Sequence, residues 1–175
     1  MLTHFVIGGA RSGKSAFAET LVCDFATQNG ARKHYLATAE AFNQEMQDRI
    51  DLHIARRGSD WHTIQEPVDI ITKLQDLSAD DVVLVDCLTI WLNNLIHYEK
   101  DCDSAISSLC DWLISPHCHV ILVSNEIGLG LVPMDKLSRH FRDLSGVMNQ
   151  SVAKATQNVT FVAAGLPLSM KSISQ

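Results

Sequence analysis

The chain has 175 residues, 46% of them hydrophobic and 19% charged, with a formal net charge of −6. That length and balance suit one domain with a substantial core. The acidic balance, with no block of Lys or Arg, argues against nucleic acid or an anionic membrane surface as the main partner. The opening residues lack the layout of a signal peptide, and no apolar run reaches the ~18 residues of a membrane helix.

In chain order, an apolar run at 5–7 predicts a buried strand. It leads directly into GGARSGKS: Gly8, Gly9, Ala10, Arg11, Ser12, Gly13, Lys14 and Ser15. This satisfies G-x-x-x-x-G-K-[ST], the phosphate-binding loop. Gly8 and Gly13 let the backbone turn so that consecutive N–H groups face phosphate oxygens. The helix predicted to follow adds its N-terminal dipole at the same point. Lys14 reaches the outer phosphates as a point charge, and the Ser15 hydroxyl suits a Mg²⁺ ion. A nucleotide is therefore the expected ligand, because such a loop makes its positive potential locally even in an acidic chain.

The run 34–37 predicts a second strand, followed by Thr38, Ala39 and Glu40. A helix is predicted over 43–57. At 100° per residue, Met46, Ile50, His53 and Arg57 fall within about 60° of one another. Arg49, His53 and Arg57 also share an i, i+4, i+8 row. Such a face either enters an anionic pocket or is a solvated helix end with a partly packed His. Periodicity leaves both open. Pro67, after Gln65 and Glu66, suits the first turn of a helix over 68–77.

The run 82–85 ends in Asp86, within VVLVDCLT. Four apolar residues and an acid make the Walker B arrangement, whose carboxylate holds Mg²⁺. A turn or cap role at a strand end is the alternative, and the complete P-loop upstream favours the metal. Helices over 89–97 and 103–114 precede a strand at 120–123. The following SNEIGLGLVP has the composition of a substrate loop or lid, and equally of a flexible connection. A helix over 136–156 carries Arg139 and Arg142, which suit phosphates or helix-surface ion pairs alike. The last strand lies at 159–163.

Strands alternating with helices imply an α/β fold, a mostly parallel β-sheet flanked by helices. Ligands in such sheets bind beyond the carboxyl ends of the strands. The five cysteines, at 23, 87, 102, 110 and 118, form no C-x-x-C pair and read as reduced structural thiols. The eight histidines show no metal-ligand spacing.

Together these stretches resemble one family, the bifunctional adenosylcobinamide kinase / adenosylcobinamide-phosphate guanylyltransferases of cobalamin assembly. The segments that carry the resemblance are GGARSGKS, YLATAE with EMQDRIDLHIARRG, VLVDCLTIWLNNL, VSNEIGLGLVP, FRDLSGVMNQ and AAGLPL. The resemblance implies a P-loop nucleoside triphosphate hydrolase (RecA-like) fold and two reactions at one nucleotide site. The first phosphorylates adenosylcobinamide with ATP or GTP; the second transfers GMP from GTP to adenosylcobinamide phosphate and releases pyrophosphate. It places the guanylylated histidine on His53 and nucleotide contacts on Thr38, Ala39, Glu40, Ile54, Ala55, Arg56, Arg57 and Asp86. Ser15 and Asp86 are the implied Mg²⁺ contacts. Where the family commonly carries an acid this chain has Gln65, with Glu66 next, so either is open for that contact. A cytoplasmic homo-oligomer, a trimer, is also implied.

Overall fold

Uninterrupted runs of Val, Ile and Leu suit strands covered on both faces, and the centre of the sheet is built from three of them. The computed structural model describes residues 1–40 and 58–173. The strands are β1 (Thr3–Gly8), β2 (Arg32–Ala37), β3 (Trp61–Gln65), β4 (Asp81–Asp86), β5 (His119–Asn125), β6 (Asn158–Ala163) and β7 (Leu166–Lys171). The helices are α1 (Lys14–Asn29), α2 (Ile70–Gln75), α3 (Leu88–His97), α4 (Cys102–Ile114) and α5 (Lys136–Ala155). The seven strands lie in the order β3-β2-β4-β5-β1-β6-β7. Every pair is parallel except β6 with β7.

Side chains alternate across a strand, and the core divides accordingly. Val6, Leu84, Ile121 and Val123 face α1, whose row Ala18, Val22 and Ala26 is small enough for close approach. Phe5, Val83, Val85, Val120 and Leu122 face the other way, against α2, α3, α4 and α5. The helix ends follow ordinary capping chemistry. Asp69, Asp101 and Asp135 accept hydrogen bonds from the backbone N–H groups of Thr72, Ser104 and Ser138. Gly30 closes α1 in the left-handed region at φ 68°.

The α/β expectation holds, with corrections. The helix expected over 68–77 is only Ile70–Gln75. Asp69 caps it, so Pro67 lies before the helix rather than in its first turn, and its carbonyl accepts from the Asn94 amide at 3.0 Å. Two strands were not expected. β3 is a half-polar edge strand beside β2. β7 returns from β6 through Ala164 and Gly165, both at positive φ (52° and 79°), the backbone of a two-residue hairpin turn. The helix expected over 43–57, with Arg49 and His53, lies outside the described residues.

Candidate functional site

β1 ends at Gly8, and its continuation must bend back over the sheet to begin α1. Packing leaves no room for a side chain at that bend. A Cβ on Gly8 would sit 2.3 Å from the Val162 carbonyl oxygen and 2.8 Å from the Ser12 hydroxyl. Gly13 adopts φ 94°, the left-handed conformation that glycine takes at no cost. The turn of the β6–β7 hairpin braces the loop from outside: the Gly165 N–H donates to the Ser12 carbonyl at 2.8 Å. Glu126 N–H donates to the Gly8 carbonyl at 3.0 Å from the other flank.

Lys14 opens α1 and is buried, its ammonium donating to the Gly9 carbonyl at 3.1 Å. The Ser12 hydroxyl is buried with no hydrogen-bond partner among the described residues. A buried orphan hydroxyl beside a buried ammonium and a helix N-terminus is a donor set waiting for anionic oxygens. These residues therefore fit a nucleotide's phosphates.

Asp86 ends β4, two strands from β1, on the α1 face. The Tyr35 hydroxyl donates to its carboxylate at 3.2 Å. Burial raises the neighbouring Cys87 thiol to about 12, and the Asp86 charge adds to it, while the Lys14 ammonium pulls the other way. Both charges thus act on one small region. Among the described residues no group of three or more His, Cys, Asp or Glu could hold a metal. One carboxylate, Asp86, and one hydroxyl, Ser15, still fit Mg²⁺, which keeps most of its waters and takes the rest from phosphates.

Thr38 is committed to the frame. Its hydroxyl accepts from the Cys87 N–H and donates to the Cys87 carbonyl, each at 2.9 Å. Its own N–H and C=O bond the Asp86 carbonyl and the Asn94 amide. Ala39 and Glu40 follow at the same sheet edge, and the Glu40 carboxylate accepts from the Tyr98 hydroxyl at 2.8 Å. Glu66 spends its carboxylate on the N–H groups of Val68 and Asp69. Gln65, at the exposed end of β3, has no such duty. Ile54, Ala55, Arg56 and Arg57 lie with His53 outside the described residues.

Among the described residues, only one of the two arginines of α5 makes a helix-surface ion pair. Arg139 donates to the carbonyls of Pro133 and Met134, and Arg142 pairs with Asp143 at 3.0 Å. The loop before α5 holds Leu129, Leu131 and Met134 outward, the last 98% exposed. A cavity of about 360 Å³ lies between this loop, α3 and α5, lined by Asn93, Ile96, Ile127, Pro133 and Phe141 among others.

One cluster escaped the sequence reading. The Thr89, Ser124 and Asn149 side chains are buried together at the carboxyl end of β5. The Ser124 hydroxyl donates to the Asn149 carbonyl oxygen at 2.8 Å and meets the Thr89 hydroxyl at 3.2 Å. Thr89 accepts from the Asn125 N–H at 2.8 Å, and the Asn149 amide donates to the Asn125 carbonyl at 3.2 Å. Three polar residues from three elements on one core face are a signal only once the fold has brought them together.

The model of the family described as cobinamide kinase / cobinamide phosphate guanyltransferase matches residues 4–170. The chain is 42% identical over 173 residues to the bifunctional adenosylcobalamin biosynthesis protein CobP of Pseudomonas aeruginosa, covering 97% of this chain and 98% of that one. It is 35% identical to the bifunctional adenosylcobalamin biosynthesis protein CobU of Escherichia coli, covering 95% and 98%. Among solved structures, the flagellar accessory protein FlaH of Methanocaldococcus jannaschii shares the fold at TM-score 0.55 and 14% identity, over 98% of this chain and 78% of that one. A KaiC-like protein of Pyrococcus horikoshii does so at TM-score 0.50 and 11% identity, over 91% and 70%.

Proposed function

Because this chain belongs to the cobinamide kinase / cobinamide phosphate guanyltransferase family, we propose that it carries out both reactions at one nucleotide site. It phosphorylates adenosylcobinamide with ATP or GTP, then transfers GMP from GTP to the product, giving adenosylcobinamide-GDP and pyrophosphate. The observation that carries this reading is the cradle of Gly8–Ser15, with buried Lys14 and the orphan Ser12 hydroxyl, inside a family match of nearly full length.

The Gly8–Ser15 backbone N–H groups and Lys14 hold the triphosphate, and Ser15 and Asp86 hold Mg²⁺, which offsets charge on the transferring group. His53, in R-I-x-x-H, is the proposed nucleophile of the second reaction. Neutral imidazole is available near pH 7, and a phosphoramidate splits one displacement into two. Arg49 and Arg57, four residues either side of His53 in the sequence, suit the charge on the departing pyrophosphate. Ala39, Glu40, Ile54, Ala55, Arg56 and Gln65 are the remaining proposed nucleotide contacts. Thr38 is a further proposed nucleotide contact, and its hydrogen bonds also hold the Asp86–Cys87 backbone.

A single domain over 1–175, a cytoplasmic location and a homotrimer complete the proposal. All five cysteines are free, which suits a reducing compartment. No helix among the described residues is long and apolar enough to cross a membrane. Light scattering on the purified chain should return three times the 19.3 kDa protomer mass.

The deciding experiment supplies α-labelled GTP, Mg²⁺ and adenosylcobinamide, and identifies the corrinoid products by mass. Wild type should give both adenosylcobinamide phosphate and adenosylcobinamide-GDP, with acid-labile, alkali-stable label on His53. His53→Asn should lose guanylyl transfer and keep phosphorylation, since direct γ-phosphoryl transfer needs no protein nucleophile. Label mapped to another residue, or full guanylyl transfer by the variant, would overturn the histidine mechanism.

A further inference from the structure

We infer that the cavity between α3, α5 and the loop after β5 seats the corrin ring of the acceptor, with its hydroxyl-bearing arm directed to the P-loop. The inference rests on the functional reading above and gives the acceptor a site within it.

The walls of this cavity follow from how the chain crosses the carboxyl edge of the sheet. Buried polar side chains pin α3 along that edge. The Thr89 hydroxyl accepts from the Asn125 N–H at the end of β5, and the Asn94 amide donates to the Thr38 carbonyl beyond β2. Ser124 and Asn149 complete the clamp on the end of β5. Asn93 and Ile96 are the α3 residues that line the cavity; Phe141 of α5, with Ile127 and Pro133 of the loop, faces them. The loop is tied at both ends. The Glu126 carboxylate accepts from the Gly128 N–H at 2.6 Å, and Arg139 grips the carbonyls of Pro133 and Met134. The cavity is thus largely formed before any ligand enters, as small-molecule sites usually are.

Its position ties it to the phosphate cradle. Glu126 donates its N–H to the Gly8 carbonyl, and the next residue, Ile127, lines the cavity. A second cavity, of about 380 Å³, lies on the P-loop side of the same loop and is lined by Arg11, Ser12 and Glu126 among others. Consecutive residues therefore border the two spaces. A ring held in one can extend a flexible arm into the other.

The chemistry suits a corrin ring, whose rim carries methyl groups and carboxamides. Ile96, Ile127, Pro133 and Phe141 offer an apolar wall to the methyls. Asn93 is exposed, and its amide makes no hydrogen bond among the described residues. An amide both donates and accepts, so it can pair with a carboxamide in either sense. The ring is too large to enter 360 Å³ whole. One edge enters, and the remainder lies against Leu131, Val132 and Met134, which flank Pro133 and are exposed. Exposed apolar groups gathered beside a cavity mark a binding surface. By contrast, the cavity at the far end of α3 presents Glu99, Lys100, Asp101 and Asp103, a charged rim unsuited to this ring. A second copy of the chain would need a broad, flat patch instead of a pocket walled by three elements.

The test measures adenosylcobinamide binding by equilibrium dialysis in wild type, Asn93→Trp, Asn93→Ala and Phe141→Ala. Steady-state kinetics, Mg·GDP calorimetry, thermal melts and light scattering accompany it. Asn93→Trp fills the cavity from an exposed position without removing a buried contact, so the variant should fold normally and bind the corrinoid at least about tenfold more weakly. Asn93→Ala should weaken it about fivefold, the loss of one neutral hydrogen bond, and Phe141→Ala about tenfold. In each variant KM for the corrinoid should rise with Kd, while kcat falls less than about threefold and Mg·GDP affinity stays within about threefold. Corrinoid affinity within about twofold of wild type in folded Asn93→Trp would overturn the site. So would an equal weakening of GDP binding, which would make the cavity a nucleotide subsite. A loss of oligomer mass at unchanged corrinoid affinity would overturn it too, as a subunit contact. If wild type phosphorylates adenosylcobinamide and the variants bind it normally, the site alone fails. If wild type neither binds nor phosphorylates it, the functional reading fails and the site with it.

Discussion

Lys14 and Gly8 carry the site in different ways. Lys14→Ala removes the buried ammonium that the proposed site assigns to the triphosphate of both reactions. Turnover of each should fall below detection, with GTP affinity at least tenfold weaker by calorimetry. Gly8→Ala removes no chemistry but drives a methyl to within 2.3 Å of the Val162 carbonyl. Either the loop or β6 must move, so nucleotide binding and thermal stability should fall together. Asp86→Asn replaces a charge by an isosteric amide and should raise the Mg²⁺ concentration needed for half-maximal rate while leaving the melt nearly unchanged. The P-loop residues were legible in the sequence because their spacing is itself the chemistry. The Thr89–Ser124–Asn149 clamp was not, since each is an ordinary polar residue until parallel pairing and α5 packing bring them into contact.

At the scale of elements, the central strands and long helices were legible because burial on both faces demands uninterrupted apolar runs and amphipathic faces demand a fixed period. β3 and β7 are edge strands, and an edge strand need not be apolar. β7 did leave a trace: Leu166, Leu168 and Met170 alternate after Gly165. Its hairpin matters to function because Gly165 donates to Ser12 and its Cα would lie 3.2 Å from a Cβ on Gly13. Gly13→Ala should therefore cost about 1–2 kcal/mol for the left-handed backbone alone, seen as a lower denaturant midpoint. At α5, Asp135 caps the helix that carries the Arg139 grip on Pro133 and Met134. Asp135→Ala removes that cap and should lower Tm and the denaturant midpoint modestly.

Over the whole molecule, acid should act in two stages. Burial against Thr160 lowers His4 to about 4, and burial also lowers His119. The unfolded chain then binds more protons than the folded one between about 6.5 and 4, so stability is full above that window and falls as pH drops through it. Asp81 follows lower down. Burial raises it, but the N–H and hydroxyl of Ser78, with His34 and Arg32, outweigh burial and hold it at about 2. Its contribution is present above about 3.8 and is lost on the way to 2. Denaturant midpoints from about pH 8 to about pH 2 should show both stages, and His4→Gln should flatten the first. The cluster of Asp81, Ser78, Arg32 and His34 sits at the amino end of the sheet, whereas Asp86, the proposed Mg²⁺ contact, is at the carboxyl end of the same strand. The two ends are about 16 Å apart at ~3.3 Å per residue, beyond the range at which substitutions usually couple. The sheet thus insulates what holds the protein together from what it acts upon. Changes that retune acceptor choice at one end can accumulate while the other keeps its tolerance for them, leaving the enzyme free to drift in specificity without first gaining stability.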